Sequence, residues 1–599
     1  MEISRKIRKL MEPFRVPFFV ILVFTVLSEG IGVVAPYFLG EVVDAVLVAN
    51  SLEKAIFFII LSAGFILLQI GIETVWGVYE MKKFVFLLNK HLDVKGLSKT
   101  FSFSLGQHKN EHSGIKQSVL SRGSHALQSL AYMTVYDFIP LALYLLFAVG
   151  ATFFIHPIVG AISAAGAVFS VIWVISVNKK LGPDLMKLQK MWNENGRLES
   201  EFLRNIEVIK VHAQEEKAEK EFNRQYGEIV EHGRKTWTRF QLSDGLRSVI
   251  STCIRIAGLI VAVILVFEGS VEAGTLVALF FWYSGIFERV HRIGKLHRRF
   301  MEVWPAIWKF FVMFDVKSDI VNSENAVRPE IRGSIEFKNV SFAYPKQKFL
   351  SDDDAEHEKS ASFDMESEAT DVLSDVSFQI APGERVALVG ESGAGKSTTA
   401  ALILRAYDPT EGEVLIDGIN LKDIETSHYL ENVGFVEQDV TLFDNTLGYN
   451  IKFPLNGKAD NFPEEELERV AKIACIDKFL SRLPDGFETA IGERGVRLSG
   501  GERQRVGIAR ALVKDPKIFI FDEATSNLDT TNEKEIREAL HKTSEGRTVI
   551  IIAHRLSTIK DADKIIVFRK GEIAGMGKHE DLLETCPEYG RLVKDQVFA

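Results

Sequence analysis

The run Gly390-Glu391-Ser392-Gly393-Ala394-Gly395-Lys396-Ser397-Thr398 has the composition of a loop that closes on phosphate. Its glycines let the backbone curl so that N–H groups face an anion, Lys396 reaches the outer phosphates, and the Ser397 hydroxyl can hold Mg²⁺. A second feature, Asp522-Glu523, ends the apolar run Ile518–Phe521. Two adjacent carboxylates at a strand end are costly to bury without a cation or a proton to handle. Asp522 is therefore expected as a magnesium partner, and Glu523 as the group that polarises an attacking water. The chemistry these residues could do together is phosphoryl transfer to water.

Such groups need elements that hold them. Val386-Ala387-Leu388-Val389 before the loop reads as a strand, and Thr399 to Leu404 after it as a helix, the context a phosphate loop requires. Further β-like runs, Ser334–Val340, Glu384–Val389, Val414–Asp417, Ile518–Phe521 and Val549–Ile552, alternate with helical stretches, which predicts an α/β layout for the second half of the chain.

The first half has a different character. In 599 residues, 47% hydrophobic yet 25% charged, the apolar content is segregated. Pro17–Gly40 is long enough to cross a hydrocarbon layer about 30 Å thick as a helix. Apolar stretches near 55–79, 130–152, 157–177, 246–267 and 274–288 bring the expected count to six spans, the last being short and carrying polar residues. The connections near 41–51, 153–157 and 268–273 lack Lys and Arg, whereas 80–125 and 178–245 are rich in them, which predicts both termini in the cytoplasm. Leu185–Tyr226 has helical periodicity and is read as helix continuing out of the membrane. A formal charge of −9, from 71 basic and 80 acidic residues, gives no electrostatic case for nucleic acid as a partner.

With these motifs in place, the second half resembles the nucleotide-binding domain of ABC transporters. The whole chain resembles an ABC exporter half-transporter of the lipid-flippase and multidrug-exporter type. Leu498-Ser499-Gly500-Gly501-Glu502-Arg503-Gln504 is similar to the ABC signature, and its serine, glycines and following helix start can meet a γ-phosphate through backbone N–H groups. The fold class implied is multidomain, a six-helix α-helical transmembrane domain followed by an α/β P-loop ABC-type ATPase domain. The expected boundaries are 1–310 for the membrane domain, 311–330 for a linker and 331–599 for the ATPase domain.

The resemblance also assigns residues. Tyr344 is similar to the aromatic that stacks on adenine, and Gln438 to the glutamine that senses magnesium and the attacking water. His554 is similar to the switch histidine at the γ-phosphate, and Ser526–Asp529 to the loop passed between partners, with Asn527 in place of the usual alanine. The nucleotide set is thus Tyr344, Gly390 through Thr398, Gln438, Ser499, Gly500, Gly501, Glu502 and Asp529. The catalytic set is Glu523, His554, Gln438 and Lys396, and the metal set Ser397, Gln438 and Asp522. Short transverse helices that seat in the nucleotide domain are expected near His112–Arg122 and Phe202–Lys210.

The family mechanism implies two nucleotide domains facing head to tail. A homodimer with two ATP sites is the simplest assembly, and a heterodimer with a related half-transporter is the alternative. ATP and Mg²⁺ are the expected cofactors and the lipid bilayer an expected partner. The implied function is ATP-driven export or flipping of an amphiphile, a lipid or hydrophobic drug-like compound. A peptide exporter and an ATP-gated channel are the alternatives. A prokaryotic cytoplasmic membrane is the expected location.

Two features fall outside the family pattern. Residues 351–371 hold nine acidic residues and one lysine where the family has a short turn, and are read as an acidic flap. Glu29, Glu73 and Arg255 are ionisable groups inside apolar stretches, so they are expected either to pair with each other or to meet cargo.

Overall fold

The computed structural model describes residues 2–109, 113–344, 371–457, 459, 461–492, 498–522, 546–552 and 559–597. The chain divides into two compact units. One comprises Met1–Thr100 with Gly114–Val316, and the other Phe101–Ser113 with Lys317–Ala599.

The first unit is helical. Glu12–Leu47, Leu52–Phe101, Gln117–Ile155, Pro157–Arg204 and Glu215–Phe267 are long and apolar enough to cross a membrane. A sixth helix, Thr275–Asp315, turns basic after four turns, which keeps it below that standard. Its apolar turns are nevertheless among the best buried: Ala278, Leu279, Tyr283, Ile286 and Val290 form a core with Tyr144, Ala148 and Val159. The helix Pro157–Arg204 has 48 residues and Glu215–Phe267 has 53. At 1.5 Å per residue each runs roughly 70–80 Å, more than twice the hydrocarbon thickness. The short helix Ile206–Val211 joins their far ends, at the place expected for the second transverse helix. Two stretches of π-helix interrupt neighbouring spans, at Met81–Val85 and Met133–Phe138.

The second unit is an α/β domain with two sheets. The smaller is antiparallel, in the order β2 (Asp371–Ile380), β1 (Ile335–Ala343), β4 (Glu411–Ile416), β5 (Ile419–Asn420). Ala343 is paired with Asp371, so the acidic segment is carried in the β1–β2 connection, and Asp371 itself begins a strand. Residues 345–370 lie outside the described residues.

The larger sheet has the order β10 (Glu572–Gly577), β9 (Lys564–Arg569), β3 (Arg385–Gly390), β8 (Thr548–Ile552), β7 (Ile518–Asp522), β6 (Val433–Val436). All neighbours are parallel except β10, which closes one edge antiparallel. Val386, Leu388, Ile518, Ile520, Ile550 and Ile552 fill one face and Ala387, Val389, Ile565 and Val567 another. Apolar burial on both faces is what a parallel sheet covered by helices demands.

Candidate nucleotide site

Parallel strands present their carboxyl ends at one edge of a sheet, and ligands bind in the crevice outside those ends. Here β3 leads into the phosphate loop, and β7 ends in Asp522. Gln438 follows two residues after β6, and β8 ends at Ile552. In register, Leu388 pairs with Ile552 and Ile552 with Asp522. Two strand spacings thus put Asp522 about 10 Å from Leu388, two residues before β3 ends at Gly390.

The loop is shaped by its own residues. Gly393 and Gly395 have φ of +78° and +110°, a region costly for any side chain. A Cβ on Gly395 stands 2.5 Å from Cδ2 of Leu373, whereas one on Gly393 meets open space. Lys396 is 4% exposed, and its Nζ donates to the carbonyls of Gly390 at 2.8 Å and Glu391 at 2.9 Å. The ammonium therefore closes the loop on itself and stands at its centre. Gly395 caps the helix Lys396–Ile403, whose first N–H groups point into the loop as an anion site. Glu391, Ser392 and Ser397 are exposed, while Ala394 and Thr398 are buried.

Tyr344 joins this group. Its hydroxyl shares a 2.9 Å hydrogen bond with Thr398 Oγ1, and its ring lies edge-on to Phe342 and to Tyr407 at 4.9 and 5.2 Å. Tyr407, a residue that sequence reading passed over, also reaches the segment Phe101–Ser113. Its hydroxyl donates to Gly106 O at 3.3 Å, and Gly106 N donates to Ala406 O at 3.1 Å. Burial pushes the Tyr407 hydroxyl up to about 12, so it stays a neutral donor at any working pH.

The first transverse helix is accordingly corrected. It is Leu105–Lys109, not His112–Arg122. Ser113–Tyr132 is one continuous helix that runs on toward the next span, and the chain from Gly114 belongs to the membrane unit. Gly106 explains the choice, because only a residue without a side chain brings its backbone against Ala406 and Tyr407.

Ser499–Glu502 stand at a separate helix start, Gly500–Leu512, where Ser499 and Gly500 are exposed and Gly501 is buried. Ser499 Oγ accepts from Glu502 N, and Glu502 Oε2 accepts from Ser499 N at 2.8 Å, a reciprocal capping box. Burial acts to raise the Glu502 carboxyl, but the Ser499 bonds and the Arg482 guanidinium outweigh it and hold it below the ordinary carboxylate value. Gly500, exposed and without a side chain, leaves the start of this helix accessible. Glu523, His554 and Asp529 lie outside the described residues.

Inside the membrane unit, Glu29 pairs with Arg289 at 2.6 Å, not with Glu73 or Arg255. Arg289 lies just past the expected sixth span and looks in sequence like part of a basic flank. What turns it inward is the packing of Ile286, three residues earlier on the same helical face and fully buried, which no local sequence pattern marks.

The ABC transporter sequence profile matches residues 373–526, and the ABC transporter transmembrane region matches 18–289. The chain is 30% identical over 527 residues to ABC transporter B family member 6 of Dictyostelium discoideum, covering 85% of this chain and 74% of that one. It is 31% identical over 506 residues to an ATM1-type heavy metal exporter of Novosphingobium aromaticivorans, covering 84% and 79%. It is 37% identical over 379 residues to an ATP-dependent lipid A-core flippase of Haemophilus influenzae, covering 63% and 60%. Among solved structures, a bacterial Atm1-family ABC exporter with ATP bound superposes with a TM-score of 0.80 at 26% identity, covering 98% of both chains.

Proposed function

The chain belongs to the ABC transporter family, as an ATP-hydrolysing exporter with membrane and nucleotide-binding parts on one polypeptide, and from that premise we propose that it exports or flips an amphiphile. The proposed cargo is a lipid or a hydrophobic drug-like compound, and the working unit a homodimer. The proposed location is a prokaryotic cytoplasmic membrane, with the Lys- and Arg-rich segments 80–125 and 178–245 on the cytoplasmic side.

One observation carries the coupling of ATP to transport. Phe101–Ser113 belongs to the ATPase unit, while the chain on both sides of it belongs to the membrane unit. A displacement of Tyr344 or Tyr407 is therefore handed directly to the backbone of Gly106, and from there to two membrane helices.

In this reading Tyr344 stacks on adenine, and the N–H groups of Gly390–Thr398 with Lys396 hold the phosphates. Exposed Ser397, with Asp522 and Gln438, suits a hard divalent cation, since all three offer oxygen. Mg²⁺ bound there neutralises phosphoryl charge. Glu523 orients and deprotonates the attacking water, and His554 contacts the γ-phosphate. Ser499–Glu502 of one protomer close the site of the other, through the helix-start N–H groups of Gly500 and Gly501 that the capping box does not use. We assign Asp529 to the loop passed between protomers. Closure around ATP favours the outward-facing arrangement, and hydrolysis resets it.

The test is ATPase activity of the reconstituted protein against panels of lipids, amphiphilic drugs and peptides, with Glu523→Gln as the inactive control. Stimulation by lipids or amphiphilic drugs, absent in the variant, supports the reading. Stimulation by peptides alone replaces the cargo class.

A further inference from the structure

The second membrane helix, Leu52–Glu80, carries Gln69, Glu73, Trp76 and Glu80 at spacings of four, three and four. These spacings put all four on one helical face, rising about 16 Å. The face is unusual for a span because it holds two carboxylates that, among the described residues, form no ion pair.

Glu73 Oε1 accepts from Ser28 Oγ at 2.8 Å and from Gln69 Nε2 at 3.0 Å, both neutral donors. The nearby guanidinium of Arg289 is committed elsewhere. It bonds to Glu29 at 2.6 Å and Pro140 O at 3.3 Å, and lies 3.8 Å over the Tyr144 ring. Among the described residues Glu73 thus meets neutral donors, while the guanidinium at this level serves Glu29.

Glu80 is 1% exposed, and among the described residues its Oε1 has no hydrogen-bond partner, nor does the buried Nε1 of Trp76. The Tyr136 hydroxyl lies beside the Glu80 carboxyl. The Tyr136 ring is stacked with Trp76 at 6.4 Å and meets Tyr132 edge-on at 6.2 Å. Tyr136 remains 41% exposed, so this aromatic group is open on one side. The two π-helical stretches occur here: Met81–Val85 directly follows Glu80, and Met133–Phe138 carries Tyr136. Such distortions recur at functional sites, because the backbone gives up regular bonding to aim side chains.

A charge in a span is costly and is kept where it meets a partner. A metal ion fits poorly, since Glu73 and Glu80 are seven residues, about 10 Å, apart along the helix, and a divalent ion draws its oxygens to within about 2.6 Å. The rings present negative faces, which favour a cation with a broad apolar body.

We propose that this face binds a monovalent hydrophobic organic cation of the quaternary ammonium or phosphonium class. Glu80, Trp76 and Tyr136 form one station, and Glu73 with Ser28 and Gln69 a second one further along the helix. The proposal rests on the exporter reading above and adds the charge of its cargo.

Equilibrium binding of radiolabelled tetraphenylphosphonium to the full-length protein in nanodiscs, without ATP, tests it. The expected result is saturable binding that weakens at least about tenfold in Glu80→Gln and in Glu73→Gln, recovers in part in Glu73→Asp, and is not competed by tetraphenylborate. Basal ATPase stays within about twofold of the parent in each variant, which shows that the variants are folded. Parent-like affinity in both Gln variants, or equal competition by tetraphenylborate, overturns the proposal by showing that size and apolarity alone are read. Absence of saturable binding also overturns it and leaves a proton as the occupant of Glu80. Lack of ATP hydrolysis in the parent protein counts against the exporter reading instead, because the binding measurement uses no ATP.

Discussion

The Tyr407 hydroxyl donates to the main-chain carbonyl of Gly106 at 3.3 Å, joining residues 301 positions apart. Tyr407 also meets the Tyr344 ring edge-on, and Tyr344 bonds to Thr398 on the phosphate-loop helix. The three contacts form an unbroken path from the loop to the segment that re-enters the membrane unit.

That path predicts an uncoupling variant. A Cβ on Gly106 stands 2.4 Å from Cε1 of Tyr407 and 2.5 Å from Ala406 O, and the carbonyl cannot move aside without breaking its bond from Gly106 N. Gly106→Ala is expected to cost about 1–3 kcal/mol at this contact. Cargo-stimulated ATPase and transport fall while ATP binding is kept. The ratio of stimulated to basal ATPase is the readout, and Tyr407→Phe, losing only one hydrogen bond worth about 1 kcal/mol, shows a smaller drop.

Gly395→Ala tests the loop. The left-handed φ of +110° and the approach to Leu373 both oppose a side chain, at a combined cost of about 1–3 kcal/mol. ATP affinity measured by fluorescent nucleotide displacement is expected to fall about tenfold or more.

Arg405 anchors the start of the second unit. Its side chain is fully buried, and Nη1 donates to Asn322 Oδ1, Ile424 O and Thr426 Oγ1, while Nη2 reaches Val321 O. Arg405→Ala leaves these acceptors unpaired and should lower the stability of the ATPase unit by about 3 kcal/mol. Denaturant unfolding followed by tryptophan-independent circular dichroism measures it. Arg405→Lys is expected to recover little, since one ammonium cannot reproduce the planar fork.

The capping box at Ser499 has a pH signature. Because the Glu502 carboxyl is held below its ordinary value in the folded chain, its stabilisation is present in full at neutral pH. It is lost as pH falls below about 4.3 and through the folded value. Glu502→Ala should therefore cost about 1 kcal/mol at pH 7. The difference in unfolding midpoint between parent and variant narrows in acid.

Much of this site was legible because its chemistry is local. The phosphate loop, the strand end at Asp522 and Ser499–Glu502 are contiguous strings whose composition dictates their backbone. Strands β3, β7 and β8 were readable as apolar runs, whereas β10, Glu572–Gly577, holds two glycines and reads as a turn until the edge of a sheet supplies its partner. The misplaced transverse helix has the same origin. Leu105–Lys109 is only five residues long, too short for periodicity to reveal, and what fixes it is a contact with Ala406 and Tyr407 that no local pattern encodes. Likewise the partner of Glu29 came from a basic run at a helix end. Only the packing around Ile286 separates a half-buried Arg289 from residues that merely reach the interface.

The central claim is that ATP hydrolysis at Glu523 drives vectorial movement of an amphiphile. Accumulation of a fluorescent amphiphile in inside-out vesicles, with the parent protein and with Glu523→Gln, tests it most directly. The account predicts ATP-dependent accumulation against a gradient with the parent and none with the variant. Flux that runs only down its gradient, or that is equal in the two proteins, contradicts it.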